Sequence, residues 1–388
     1  MGVVRRLVTL VSVVVLVDTM LFAALTPLLG RFATQLHLSS AGAGVLVAAY
    51  AGGALLGGLP GGLASARLGP RRAVFIGLAM MGCASVGFAW ADSFTALAVA
   101  RIAQGAGSGF TWAGSFSWLI ASAPRERRGA VIGTAMGAAV LGALLGPVLG
   151  AIAAFTGRGP AFSAIALLDV ALFAVTSTIP SHPPEQLSAS ALRRASRNRT
   201  FMAGLGMLGL ASVLSGALTV IAPLHLSHSG WGPTAIGAVW LVAAGIEALQ
   251  SPFIGRLSDR SGAFTPIRFG LAAGAVSSLL LVLGLATLPY ALATVLTSIL
   301  YGMLFTPAFA LIADGAEQAG LVQGLAFGLM NAAWAIGAIV GPAGAGAISS
   351  ASGESLPFAL AAGMCLLALL WARPSATAVP ALSRAERS

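Results

Sequence analysis

The chain has 388 residues, of which 57% are hydrophobic and only 8% charged, and its mean hydropathy is +0.93. Soluble domains carry about 25% charged residues, so water is not the main solvent of this protein. The net charge of +10 does not signal a nucleic-acid partner: all 21 basic residues are arginine, and most fall in short polar connections between apolar runs and not along one solvated face.

A hydrocarbon core about 30 Å thick takes roughly 20 apolar residues per helix. In chain order, runs of that kind cover residues 6–29, 41–64, 72–91, 94–121, 129–155, 160–180, 200–225, 233–254, 265–286, 289–313, 321–349 and 354–372. They predict an all-α membrane protein of twelve transmembrane helices. The first run follows Arg5 and Arg6, but it is too long for a secretory signal and contains Asp18, so it is expected to stay as the first helix.

With the N terminus in the cytoplasm, 18 of the 21 arginines fall on the inner side, Arg31 and Arg158 face outside, and Arg101 lies within the fourth run. The inner set includes Arg125, Arg127, Arg128, Arg373, Arg384 and Arg387. The positive-inside rule then places both termini in the cytoplasm. The absence of lysine fits a GC-rich bacterial genome, so the expected location is the bacterial cytoplasmic membrane.

Residues 181–199, with Pro183, Pro184 and four arginines, form the longest polar connection. They are expected to be a cytoplasmic linker between six-helix bundles at 1–180 and 200–388. Two internal matches support a duplication. Gly62 to Gly69 resembles Gly255 to Gly262, 193 positions later, and Gly142-xxx-Gly146-Pro147 recurs 195 positions later as Gly337-xxx-Gly341-Pro342. Secondary transporters commonly show such repeats, with the substrate site between the halves near the midplane.

These residues resemble the major facilitator superfamily, and within it the twelve-helix drug:proton antiporters. That family carries a loop of the form G-x-L-x-D-R-x-G-R-R. The second copy here has Gly255, Leu257, Asp259, Arg260 and Gly262 in place; the first has Gly62, Arg67, Gly69, Arg71 and Arg72, but Ala66 where the family has its acid. This departure puts in doubt the charge-mediated latch that the resemblance would imply for the first loop. Glycine permits the tight turn and arginine anchors it among headgroups. An ordinary positive-inside turn explains the arginines, but not the glycine spacing twice over.

Arg101, Gln104 and Gly105 match the family's R-x-x-Q-G motif, whose arginine is implicated in proton transfer. An arginine two turns inside a helix costs about 2.5 to 3.5 kcal/mol, so it must pair, face water or snorkel to the outer interface. Gly142, Gly146, Pro147 and Gly150 match the G-x-x-x-G-P-x-x-G signature of the antiporter branch. Small residues four apart let helices approach closely, and the proline is expected to let the helix bend. Static close packing is the competing reading.

Asp18, nine positions before Pro27, resembles the family's acid in helix 1 and is the expected proton site. A lone carboxylate near the midplane is costly when ionised, so it takes a proton or a cationic substrate in preference to standing bare. Asp169 and Glu247 are further coupling candidates. Glu247 ranks ahead because Gln250 and Trp240 share its run. Phe22, Trp112, Phe116, Tyr301, Phe305, Asn331 and Trp334 are expected, with Asp18 and Glu247, to line a pocket that stacks flat organic cations; packing or lipid contact is the competing role.

Cys83 and Cys365 sit in separate apolar runs and offer no disulfide or metal-ligand spacing. His225 and His228 have i, i+3 spacing but no third ligand near them in sequence, so no metal is expected. No Ser/His/Asp set or nucleotide loop is present, and the chain does not read as an enzyme. The expected function is proton-coupled export of small lipophilic, cationic, drug-like compounds by alternating access. The transporter is expected to work as a monomer in the lipid bilayer, with no cofactor beyond the proton as coupling ion. Alternatives are an exporter of a sugar, amino acid or natural product, and a non-transporting receptor or scaffold. Ala66 gives the latter slight support, and the embedded acids oppose it.

Overall fold

A computed structural model describes residues 2–123, 128–180, 189–321 and 323–372. Arg125, Arg127, Arg373, Arg384, Arg387 and most of the linker segment lie outside the described residues, as do the side chains of Ala66, Arg128 and Asp259. The described elements are helical. They are α1 (Gly2–Ala23), a 3-10 turn (Thr26–Leu28), α2 (Leu29–Gln35), α3 (Ser40–Leu68), α4 (Pro70–Trp90), α5 (Phe94–Ser122), α6 (Arg128–Thr156) and α7 (Arg158–Ser177). After the short α8 (Ala189–Ala195) come α9 (Arg199–His228), α10 (Pro233–Ser261), α11 (Phe264–Val282), α12 (Thr287–Gly302), α13 (Phe305–Gln318), α14 (Gln323–Ser352) and α15 (Ser355–Trp371).

Among the described residues, ten helical spans are long and apolar enough to cross a membrane. α15 is apolar at 17 residues. α5 has 29 residues, but Arg101, Gln104, Ser108, Thr111 and Ser115 dilute its apolarity. Together these make the twelve expected crossings. Large side chains such as Leu59 and Phe155 stand 74% and 79% exposed, as a lipid-facing surface requires and a soluble monomer avoids.

Two of the predicted runs are not single helices. α1 stops at Ala23 and resumes after the 3-10 turn, while α12 stops at Gly302 and α13 begins at Phe305. Each break has a proline placed to cause it. Pro27 lies four residues after Ala23, and Pro307 four after Met303. A proline lacks the N–H that would bond the carbonyl four back, and its ring clashes there. Pro147 lies inside α6, which continues past it as one helix to Thr156. Elsewhere the short connections start helices by capping: Ser39, Ser93 and Asn198 accept from Gly42 N, Ala96 N and Phe201 N.

The duplication is visible in the backbone. Gly69 and Gly262 end α3 and α10 with nearly the same geometry, φ 91°, ψ 154° and φ 81°, ψ 151°. Side-chain-bearing residues avoid that region, which is why the loop motif keeps glycine there twice. Gly142, Gly146 and Gly150 seat α6 against α1 at Leu16, Thr19, Met20, Ala23, Ala24 and Pro27, where a Cβ would collide with backbone or side chain. In the second half Gly337 and Gly341 seat α14 against α9 at Gly209, Ser212 and Val213.

The prolines of the two signatures perform a second task. Pro147 O lies where a Cβ on Gly237 of α10 would be 3.3 Å away, and Pro342 O closes on Gly44 of α3. Both contacts join one half to the other. Gly346 also meets the Ser40 backbone, Ala41 N donates to Ser350 Oγ at 2.8 Å, and Gly30 meets Ser227. All five lie toward the face opposite the N terminus, at the starts of α3 and α10 and the ends of α9 and α14. There the halves are sealed.

Candidate functional site

The polar core of the first half is built where α1, α3 and α5 meet. α3 and α5 approach through glycines: Gly53 and Gly57 meet the α5 backbone at Ile102 and Ala106, and Gly105 meets the Tyr50 carbonyl. The Gly105 of the R-x-x-Q-G motif thus has a structural cause, since a Cβ would hold Tyr50 away from Arg101.

Asp18, 3% exposed, receives a hydrogen bond at each carboxylate oxygen. The Tyr50 hydroxyl donates to Oδ1 at 2.8 Å and Trp112 Nε1 donates to Oδ2 at 2.7 Å. Next to Asp18, Thr19 Oγ1 donates to Ala139 O at 2.9 Å, which fixes α1 on α6.

Arg101, 1% exposed, does not snorkel. Its Nη1 donates to Leu21 O at 2.9 Å and to Gln104 Oε1 at 3.3 Å, and its Nη2 donates to Phe22 O at 3.1 Å. Those carbonyls belong to the last turn of α1, just before the break set by Pro27. A helix C-terminus presents unpaired carbonyls and a partial negative charge, and the guanidinium satisfies both. Its carbon also lies 4.6 Å from the Tyr50 ring centroid. Among the described residues Arg101 makes no ion pair with Asp18; Tyr50 stands between them, offering its hydroxyl to the acid and its ring face to the cation. Gln104 Nε2 continues the network to Ser85 Oγ at 3.1 Å.

Aromatic rings gather beside this network. Phe22 lies 5.5 Å from Tyr50 and 5.2 Å, edge-on, from Trp334 of α14, while Trp112 lies 5.3 Å from Phe116. The Phe22–Trp334 contact carries the site across to the second half. Asn331, one turn before Trp334, is half-buried.

Glu247 belongs to a second, smaller polar group. Ser298 Oγ donates to its Oε1 at 2.6 Å, and Gly302 leaves the space its carboxyl fills, since a Cβ there would lie 2.6 Å from Glu247 Cδ. Gln250 Nε2 donates to Ile299 O at 2.8 Å, so α10 is stitched to the end of α12 beside its break. Phe305 is half-buried and lies 6.3 Å from Phe309.

Two candidates lie away from both groups. Tyr301 is buried among α11, α12 and α15, its hydroxyl 2.6 Å from Ser278 Oγ and its ring near Gly274. It packs there, against Ser278 and Gly274, apart from the ring contacts of Phe22 and Trp112. Asp169 on α7 is 2% exposed and faces Gly82 of α4; neither of its oxygens has a hydrogen-bond partner among the described residues.

In the loop motifs, Arg67 and Arg260 are exposed, and Arg71 Nη1 donates to Ile179 O at 3.3 Å. Gly62 has open space about it, and Gly255 only brushes Thr306. Among the described residues no group of three His, Cys, Asp or Glu has metal-holding geometry.

Twelve crossings in two similar halves, with a carboxylate and a guanidinium buried in the core of the first, are the architecture of a secondary transporter. The family model for the Major Facilitator Superfamily matches residues 11–327. The chain belongs to the major facilitator superfamily. It is a multi-pass membrane transporter and not an enzyme. A solved structure of similar fold is the xylose transporter XylE from E. coli in a partially occluded inward open conformation, 14% identical, with a TM-score of 0.72, over 96% of this chain and 97% of that one. No curated protein sequence matches this chain.

Sequence reading of this superfamily member missed Tyr50. It is one of only three tyrosines in the chain, and a phenol in the middle of a glycine-rich apolar run was the available signal. The carbonyls of Leu21 and Phe22 were missed as well, although Pro27 marked the break that exposes them.

Proposed function

We propose that this transporter exports small lipophilic cations in exchange for protons. The observation that carries the reading is Asp18, buried in α1, held by Tyr50 and Trp112 and set among aromatic rings from both halves. An acid so placed binds either a proton or an organic cation, and the rings beside it favour a flat cation over a sugar. Competition for one carboxylate couples the two flows without covalent chemistry.

In this reading both termini are cytoplasmic, the sealed face is the outer one, and the structure is the inward-open member of an alternating-access pair. The protein works as a monomer in the bacterial inner membrane. Arg101 holds the broken end of α1, so the helix that carries Asp18 moves with α5 as the halves rock. One proton crossing about 150 mV releases roughly 3.5 kcal/mol, enough for a gradient of several hundredfold in a neutral substrate.

The test uses proteoliposomes holding an imposed pH gradient, to which lipophilic cations, neutral drugs and pentoses are added in turn. Collapse of the gradient by cations alone supports the reading. Collapse by a pentose, or substrate movement that leaves the gradient intact, overturns it.

A further inference from the structure

A second titratable cluster lies outside the central site, at the sealed face. His225 Nδ1 is 2.6 Å from Glu354 Oε2, and His228 Nδ1 is 3.6 Å from Glu354 Oε1. One carboxylate at the start of α15 thus takes both imidazoles from the last turn of α9. The His225 ring also stacks on Tyr290 of α12, with centroids 3.9 Å apart and planes at 29°. Among the described residues Glu354 is the acid paired with either imidazole.

Between the two histidines in sequence stands Ser227, which packs directly on Gly30 of the first half. A cavity of about 370 Å³ opens at that seam, lined by Gly30, Arg31, Ser227, Trp231 and Thr234 among others. Among the described residues, Glu354 from α15 and Tyr290 from α12 contact the histidines, and Arg31 from α2 lines the same cavity as Ser227, its Nη1 donating to Ala154 O at 2.9 Å. The end of α9 thus supplies one of the five contacts that hold the seam.

We propose that His225, His228 and Glu354 form a proton-binding site that clamps the end of α9 and keeps the two halves joined at this face. Imidazoles gain their charge between about pH 5 and pH 8. When both are charged, both pair with Glu354, α9 is fixed to α15, and Ser227 stays on Gly30. When both are neutral, His225 retains a neutral hydrogen bond and the 3.6 Å contact of His228 loses its attraction. Acid on this face therefore favours the sealed state. The site stands on its own geometry; its consequence for transport rests on the alternating-access reading above.

The experiment places spin labels at Gln35→Cys in α2 and Thr234→Cys in α10, beside the seam, in full-length protein carrying Cys83→Ser. Distances are measured in nanodiscs at pH about 5.5 and about 8. The expected result is a short distance at acid pH and a severalfold larger long-distance population at alkaline pH. The His225→Gln/His228→Gln double variant loses this response, and Glu354→Gln, checked for monodispersity, loses it too. Asp18→Asn keeps the response while failing in the gradient assay, which separates this proposal from the transport reading. A wild type indifferent to pH, a response that survives in the histidine variant, or one abolished by Asp18→Asn overturns the proposal.

Discussion

In the first half Pro27 ends a helix, whereas in the second Pro223, 196 positions later, lies inside α9 without breaking it. The difference follows what stands beside each proline. Arg101, the eighth residue of α5, reaches the carbonyls of Leu21 and Phe22. The eighth residue of α12 is Thr294, whose hydroxyl turns back to its own helix at Tyr290 O. The eleventh residue of α5 is Gln104 and that of α12 is Thr297, whose hydroxyl bonds Ala293 O of its own helix. The duplication has kept the devices that pack helices, the glycine rows and the loop glycines, and has let the chemistry diverge. At Pro27 a cation closes the open helix end, whereas α9 runs whole past Pro223.

That comparison is open to attack from several sides. The largest expected effect tests what the halves share: Gly142→Val and Gly337→Val should each abolish monodisperse folded protein in detergent, since both insert atoms into the facing helix backbone, a cost of about 3 kcal/mol or more. If one half tolerates its valine, the packing is not duplicated in energy as it is in geometry. Next comes Arg101→Ala, which strands two buried carbonyls and should lower stability by about 2 to 3 kcal/mol in thermal unfolding, against less than about 1 kcal/mol for Thr294→Val. Equal losses would dissolve the contrast between the halves. The smallest effect sharpens the likeness: Gly69→Ala and Gly262→Ala should each cost about 1 kcal/mol, by forcing a Cβ into a positive-φ conformation.

Much of the architecture was legible in the residues. The apolar runs, the two-fold repeat and the meaning of Gly69 and Gly262 all follow from composition and spacing, because membrane thickness and positive φ act locally. The break after Ala23 was legible in principle from Pro27, since the missing N–H is a local fact as well. The role of Pro147 was not. Its carbonyl meets Gly237 across the seam, and a contact between halves leaves no trace in either segment alone. Glu354 escaped notice for the same reason: it lies 129 positions from the histidine it holds. Tyr50 and Asp18 are 32 positions apart, on helices that only the glycine contacts of α3 and α5 bring into register.

The proposed exchange makes Asp18, with its two donors, the coupling acid in preference to Glu247, which has Ser298. Proton release from proteoliposomes under an imposed pH gradient, with a lipophilic cation added, compares wild type, Asp18→Asn and Glu247→Gln directly. The account predicts that Asp18→Asn abolishes the cation-dependent collapse, whereas Glu247→Gln slows it by less than about tenfold, the loss of one hydrogen bond. A fully active Asp18→Asn protein, or one in which Glu247→Gln alone is silent, would contradict it.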